Sequence, residues 1–93
     1  MIDMELAGTV NEAVSGSQHA WDQLVERFSG LVWGVARSQS LNSADASDVT
    51  QEVFLRAFRG IRDFRRGSSL KTWLYRISVR QALNHRRWCW RHP

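Results

Sequence analysis

The stretch LNSADASDVTQEVFLRAFRGIRDF, residues 41–64, decides how this chain folds. Val49, Val53, Ala57 and Ile61 fall four apart, a helical period, and Phe54 and Phe58 widen the same stripe. Asn42 or Ser43 is placed to cap the start. Asp45 and Asp48 stand early, where the helix dipole favours negative charge. Arg65-Arg66-Gly67 then breaks the pattern.

Working outward, both neighbours carry the same period. Upstream, Trp21, Leu24, Val25, Phe28, Leu31, Val32 and Val35 recur at three- and four-residue steps behind a cap at Ser17. Gly30 and Gly34 interrupt that helix, either to admit a close neighbour or simply loosening it, at about 1 kcal/mol each relative to Ala. Residues 2–14 read as a short, weak helix ended by Gly16. Downstream, Ser68 or Ser69 caps a last helix with an inward stripe of Leu70, Trp73 or Leu74, Ile77 and Gln81. No segment alternates with period two, and the one proline is terminal. The expected fold is all-α, a three-helix bundle with a short N-terminal leader helix, forming a single domain over residues 1–93.

Composition excludes several classes of function. A hydrophobic content of 43% argues against wholesale disorder. No apolar run approaches the roughly 18 residues of a membrane span. The N-terminus MIDMELAGTV lacks the basic and apolar regions of a secretory signal, so a cytoplasmic location is expected. The lone Cys89 rules out an internal disulfide. No Gly-rich phosphate loop and no supported Ser/His/Asp set is present, so an enzyme is not expected, nor is a cofactor. His85, Cys89 and His92 are spaced to share a helix face, as metal ligands do. Arg86, Arg87 and Arg91 crowd the same turns and the sequence offers no fourth ligand nearby, so the three read as incidental surface residues and no metal is assigned.

Charge is divided along the chain. Residues 1–63 hold all nine acids and five Arg, a balance of 5 − 9 = −4; residues 64–93 hold eight basic groups and no acid, +8. The split suggests two partners of opposite sign. On the central helix, Asp45, Asp48 and Glu52 follow at three- and four-residue steps with Gln51 beside them. That ridge is either a solvated face or a docking surface for a basic or polar helix. Residues 68–93 combine a Lys, five Arg, three Trp and a Tyr. Lys71, Arg76, Arg80, Arg86 and Arg87 can neutralise phosphates, while Trp73, Tyr75 and Trp88 offer stacking surfaces worth about 1–3 kcal/mol per base. Arg80 and Asn84 can read base edges, and one or two of the aromatics belong to the core. The mixture favours single-stranded nucleic acid, whose bases are free to stack.

These residues resemble the second conserved region of bacterial sigma factors, in particular the extracytoplasmic-function (ECF) group. The family's acidic D-x-x-Q-E-x-F-x-x-A segment is matched by Asp48, Gln51, Glu52, Phe54 and Ala57, and its F-R pair by Phe64-Arg65. Its T-W-L-Y-R-I run is matched without a break by Thr72 to Ile77, and its closing basic pair by Arg86-Arg87. WDQLVERFSGLVWGVAR resembles the preceding helix, so the likeness covers about residues 18–88. The resemblance implies that Asp45, Asp48, Gln51, Glu52 and Phe54 dock on the β′ clamp helices of core RNA polymerase. It implies that the basic, aromatic face, with Phe64, Arg65 and Trp73, binds the −10 promoter element and the melted non-template strand. An anti-sigma protein covering the same docking ridge is the alternative partner; a nonspecific single-stranded nucleic-acid binder is the other alternative. Arg80 stands where many relatives carry Asn, and Leu70 and Leu74 replace aromatics of housekeeping members. The linker and −35-reading domain of relatives are expected to be missing, leaving a fragment that binds weakly and does not initiate alone.

Overall fold

The structure, a computed structural model, describes residues 4–39, 41–64 and 69–92. Four α-helices follow one another: α1 (Met4–Val14), α2 (Gln18–Ser38), α3 (Ser43–Gly60) and α4 (Leu70–Arg91), with a 3-10 turn at Ile61–Asp63. Each of the last three helices opens on a side-chain cap that satisfies an otherwise unpaired backbone N–H. The Ser17 hydroxyl accepts from Ala20 N–H at 3.1 Å, Asn42 Oδ1 from Asp45 N–H at 2.8 Å, and the Ser69 hydroxyl from Thr72 N–H at 3.1 Å. Of the capping pairs the sequence offers, Asn42 and Ser69 are the ones used.

The leader forms the short helix that its pattern predicts, over Met4–Val14. Gly16 adopts φ +103° and closes α1: its N–H bonds to Ala13 C=O, and the Ser17 N–H reaches back to Glu12 C=O. This double closure satisfies carbonyls that the helix end would leave open, and only glycine takes that φ without strain. So terminated, α1 lies against α2 and sends Val10 into the core.

Helices α2, α3 and α4 pack on one another pairwise around Leu24, Phe28, Val32, Val49, Val53, Ala57, Leu70 and Leu74. The Arg37 guanidinium donates at 3.0 Å to the C=O of Leu41, which is itself buried. In α4 the buried line is Leu70, Leu74, Ser78 and Ala82, each four residues from the last, flanked by Gln81. Ser78 is wholly buried and donates to Leu74 C=O at 2.7 Å, so its hydroxyl is satisfied inside the helix. Trp73 and Ile77 are half-buried beside this line.

One expectation changes, and one of two alternatives left open by the sequence falls away. Phe58 does not widen the core: it is 55% exposed, its ring set edge-on to Trp21 at 5.2 Å. Gly30 and Gly34 admit no close neighbour among the described residues, since a Cβ at either would meet nothing within 4 Å. Each glycine therefore costs backbone entropy without a packing return. Replacing Gly30 or Gly34 with Ala should raise stability by about 0.5–1 kcal/mol, read as a higher urea midpoint at unchanged slope. Leu74→Ala should instead lower it by about 2–5 kcal/mol, because Leu74 is buried in the core cluster that the three main helices share.

Candidate functional site

Two faces of the bundle remain available to partners, one on α4 and one on α3. The first follows from helix geometry. With about 100° of rotation per residue, Trp73, Arg76, Arg80, Asn84, Arg87 and Arg91 lie within about 40° of one direction, on the side of α4 away from the core. All but the half-buried Trp73 are exposed. No acidic residue interrupts this line, because α4 has none.

Trp73 anchors the line's N-terminal end. Its indole packs against Phe64 with ring centroids 5.1 Å apart and lies over Gly60, where a Cβ would sit 3.5 Å from the ring. Phe64 is thus a half-buried neighbour of Trp73 as well as a candidate contact. Arg65 lies outside the described residues.

Lys71, Tyr75 and Arg86 are exposed but point elsewhere, roughly 120–180° round the helix from the Arg80 line. The set that the sequence groups together is therefore split between two sides of α4. Trp88 is 56% exposed and adjoins the line, its ring stacked on His92 at 4.6 Å. Arg91 was read from sequence only as a crowding charge. The structure makes it the last member of the line, a placement its four-residue step from Arg87 already allowed.

On α3, Asp48 and Gln51 are exposed and Glu52 is half-exposed, its carboxylate 2.9 Å from the Arg56 guanidinium. Asp45 leaves this ridge. It turns toward α4, where its Oδ1 stands 3.2 Å from His85 Nε2. Phe54 leaves it in the other direction: at 8% exposure it belongs to the core, with its ring edge-on to Trp21 at 6.4 Å. Exposed Leu55 and Phe58 take their places in the outward face. With Trp21, Val25, Gln51 and Phe54 they line a shallow, mainly apolar groove between α2 and α3. The sequence signal was present in Leu55, an apolar residue at an outward position of the helical period. Among the described residues no helix is long and apolar enough to cross a membrane.

An acid-free basic line on one helix and an acidic-apolar face on the one before it, in a bundle of this topology, agree with the comparisons to known proteins. The model of Sigma-70 region 2 matches residues 24–92. The chain belongs to the Sigma-70 region 2 family. Its curated relatives include the ECF RNA polymerase sigma-E factor of Escherichia coli, 40% identical over 76 residues, and the RNA polymerase sigma-H factor of Pseudomonas aeruginosa, 36% identical over 76. In both cases the match takes in 82% of this chain and 39% of the relative, so the chain spans about two fifths of their length. Sigma-70 region 2 also accounts for the fold. An engineered region 2 of sigmaE, solved by NMR in complex with GTAAAA, superposes with a TM-score of 0.80 at 31% identity, covering 90% of each chain. CnrH, solved in complex with the cytosolic domain of CnrY, gives 0.76 at 32% identity over 84% of this chain and 51% of CnrH.

Proposed function

We infer that this chain is the promoter-recognition part of an ECF sigma factor, a transcription initiation factor rather than an enzyme. It docks on core RNA polymerase through α3 and holds the non-template strand of the −10 element along α4. The observation that carries this reading is the line Trp73, Arg76, Arg80, Asn84, Arg87 and Arg91. From Arg76 to Arg91 it runs about 22 Å, the length of roughly six stacked nucleotides. Five polar or cationic groups along that length neutralise phosphates and meet base edges, and the Trp73 ring closes one end as a stacking surface. The related region 2 solved in complex with GTAAAA supports a short nucleic-acid target of about this length. The outward face of α3 supplies the other half of the task. Asp48 and Gln51 give polar contacts to the β′ clamp helices, and Leu55 and Phe58 give the apolar area that charged contacts alone do not provide.

A second reading is favoured by the same groove. Trp21, Leu55 and Phe58 form an apolar strip of the kind an amphipathic helix covers, and a relative of this fold is solved with another protein's cytosolic domain. An anti-sigma protein binding there competes with polymerase for α3 and leaves the α4 line free.

Two sets of variants test the assignment. Asp48→Arg, or Gln51 and Glu52 replaced together by Ala, should abolish most co-purification with core polymerase while far-ultraviolet circular dichroism stays unchanged. Undiminished co-purification would remove the docking role. For DNA, Arg80→Ala and Asn84→Ala should compress the preference among −10 oligonucleotides. Arg87→Ala should instead weaken every sequence alike and reduce the slope of log affinity against log salt by about 0.7. Lys71→Ala, off the line, should give a smaller uniform loss. Equal losses for all sequences from Arg80→Ala would show that α4 carries charge without reading bases.

A further inference from the structure

Near the far end of α4 three side chains converge that the docking and DNA faces do not use. Asp45 comes from the first turn of α3, and His85 and Cys89 from neighbouring turns of α4. One ligand atom from each, a carboxylate oxygen, an imidazole nitrogen and the thiol sulfur, lies within 4.8 Å of the other two. All three residues are half-buried.

The inward turn of His85 and Cys89 has a geometric cause. The core line Leu70, Leu74, Ser78, Ala82 advances by four residues, and each such step rotates about 40° round the helix. The next member, Arg86, has rotated out to solvent. A three-residue step from Ala82 restores the inward direction at His85, and a four-residue step then reaches Cys89. There the pair faces the start of α3.

A second observation singles out this cluster. His85 Nε2 is a buried nitrogen with no hydrogen-bond partner. It is 3.2 Å from Asp45 Oδ1, close enough for an ion pair but without the alignment that a hydrogen bond requires. Buried polar atoms left without a hydrogen bond are few in folded proteins, and an ion is one of the partners that can explain them.

We propose that Asp45, His85 and Cys89 form a binding site for a single thiophilic divalent cation, with zinc(II) the best fit. Carboxylate, imidazole and thiolate are the three ligand types zinc takes from proteins, with bonds of about 2.0–2.3 Å that set ligand atoms about 3.3–3.8 Å apart in a tetrahedron. The 3.2 Å between Oδ1 and Nε2 already matches one such edge. Rotation of the Cys89 side chain supplies the others, and a water completes the shell. The thiol proton leaves to solvent on binding, so the two anionic ligands balance the dication.

The objection raised by the neighbouring arginines weakens in three dimensions. Arg87 and Arg91 lie on the opposite side of α4 from Cys89, and Arg86 is exposed on its flank. His92, the third residue of the sequence pattern, is occupied elsewhere. Its Nδ1 is 2.9 Å from Trp88 C=O and its ring stacks on Trp88. The site is thus a bridge between two helices rather than a motif of one. Filled, it ties the last turns of α4 to the start of α3 and so fixes the direction of Arg87 and Arg91 on the DNA line.

Cobalt(II) titration of the purified, reduced 93-residue chain tests this directly. The expected result is one cobalt per chain, with a thiolate-to-cobalt charge-transfer band and the visible bands of tetrahedral cobalt, all bleached by zinc(II). Cys89→Ser should remove the charge-transfer band. His85→Gln and Asp45→Asn should each weaken binding more than about tenfold, the least that loss of even a supporting group costs at metal sites. His92→Ala should leave affinity unchanged, and circular dichroism should confirm that every variant is folded. The proposal is overturned by a folded chain that gives no charge-transfer band. It is equally overturned if Asp45→Asn binds as tightly as the unaltered chain, or if His92→Ala weakens binding as much as His85→Gln. None of these outcomes depends on the DNA-binding reading.

Discussion

Everything in this small bundle depends on the narrow line by which α4 enters the core. Its core line is two leucines, a serine and an alanine, with Gln81 alongside; Trp73, Ile77, Val79 and Leu83 are only half-buried, and Trp90 is 88% exposed. Leu70 and Leu74 are its large buried side chains, and they set the orientation in which α4 packs. Burying Leu70 and Leu74 against α2 and α3 compels the opposite side, with its regularly spaced arginines, to face solvent. The basic line proposed to bind DNA is the complement of the core line. The same constraint explains Ser78: a small residue lets the helices approach closely, and its hydroxyl costs little because Leu74 C=O accepts it.

α3 obeys a looser version of the rule. Its inward residues Val49, Val53 and Ala57 satisfy the core, and apolar side chains remain. Phe54 is buried at the α2 edge, while Leu55 and Phe58 stay exposed. Exposed apolar residues beside Asp48 and Gln51 are what a docking surface needs. The apolar groups supply area, and the polar groups fix register and exclude wrong partners. The two working faces thus come from opposite causes. The α4 line of arginines faces away from the buried Leu70 and Leu74, and the α3 face is partly apolar because Leu55 and Phe58 stay outside the core.

Much of this was legible in the sequence, and what was missed has a common physical cause. Helix spans, the caps at Ser17, Asn42 and Ser69 and most of the inward stripes follow from local period and capping chemistry, which involve residues a turn or less apart. The family itself was legible in the segments around Asp48 and Thr72 to Ile77. Contacts between helices were not. Asp45 fits the acidic ridge by spacing, but its direction is set by where α4 lies. Phe58 fits the core stripe by period, but in space it lies at the α2–α3 edge against Trp21 and stays mostly exposed. The basic groups of α4 read as one set in sequence and become two sides of a helix in space. His92 fits the pattern of His85 and Cys89, yet the residue that joins them is forty positions upstream of His85.

The account's central claim is that one line on α4 receives single-stranded promoter DNA. Mapping backbone and indole amide shifts of the chain on adding the single-stranded hexanucleotide GTAAAA tests it most directly. The account predicts shifts that concentrate on Trp73, Arg76, Arg80, Asn84, Arg87 and Arg91, with Tyr75 and the α2–α3 groove little changed, and a much weaker response to the same sequence in duplex form. Shifts centred on Tyr75 or on α3, or an equal response to single and double strands, would contradict it.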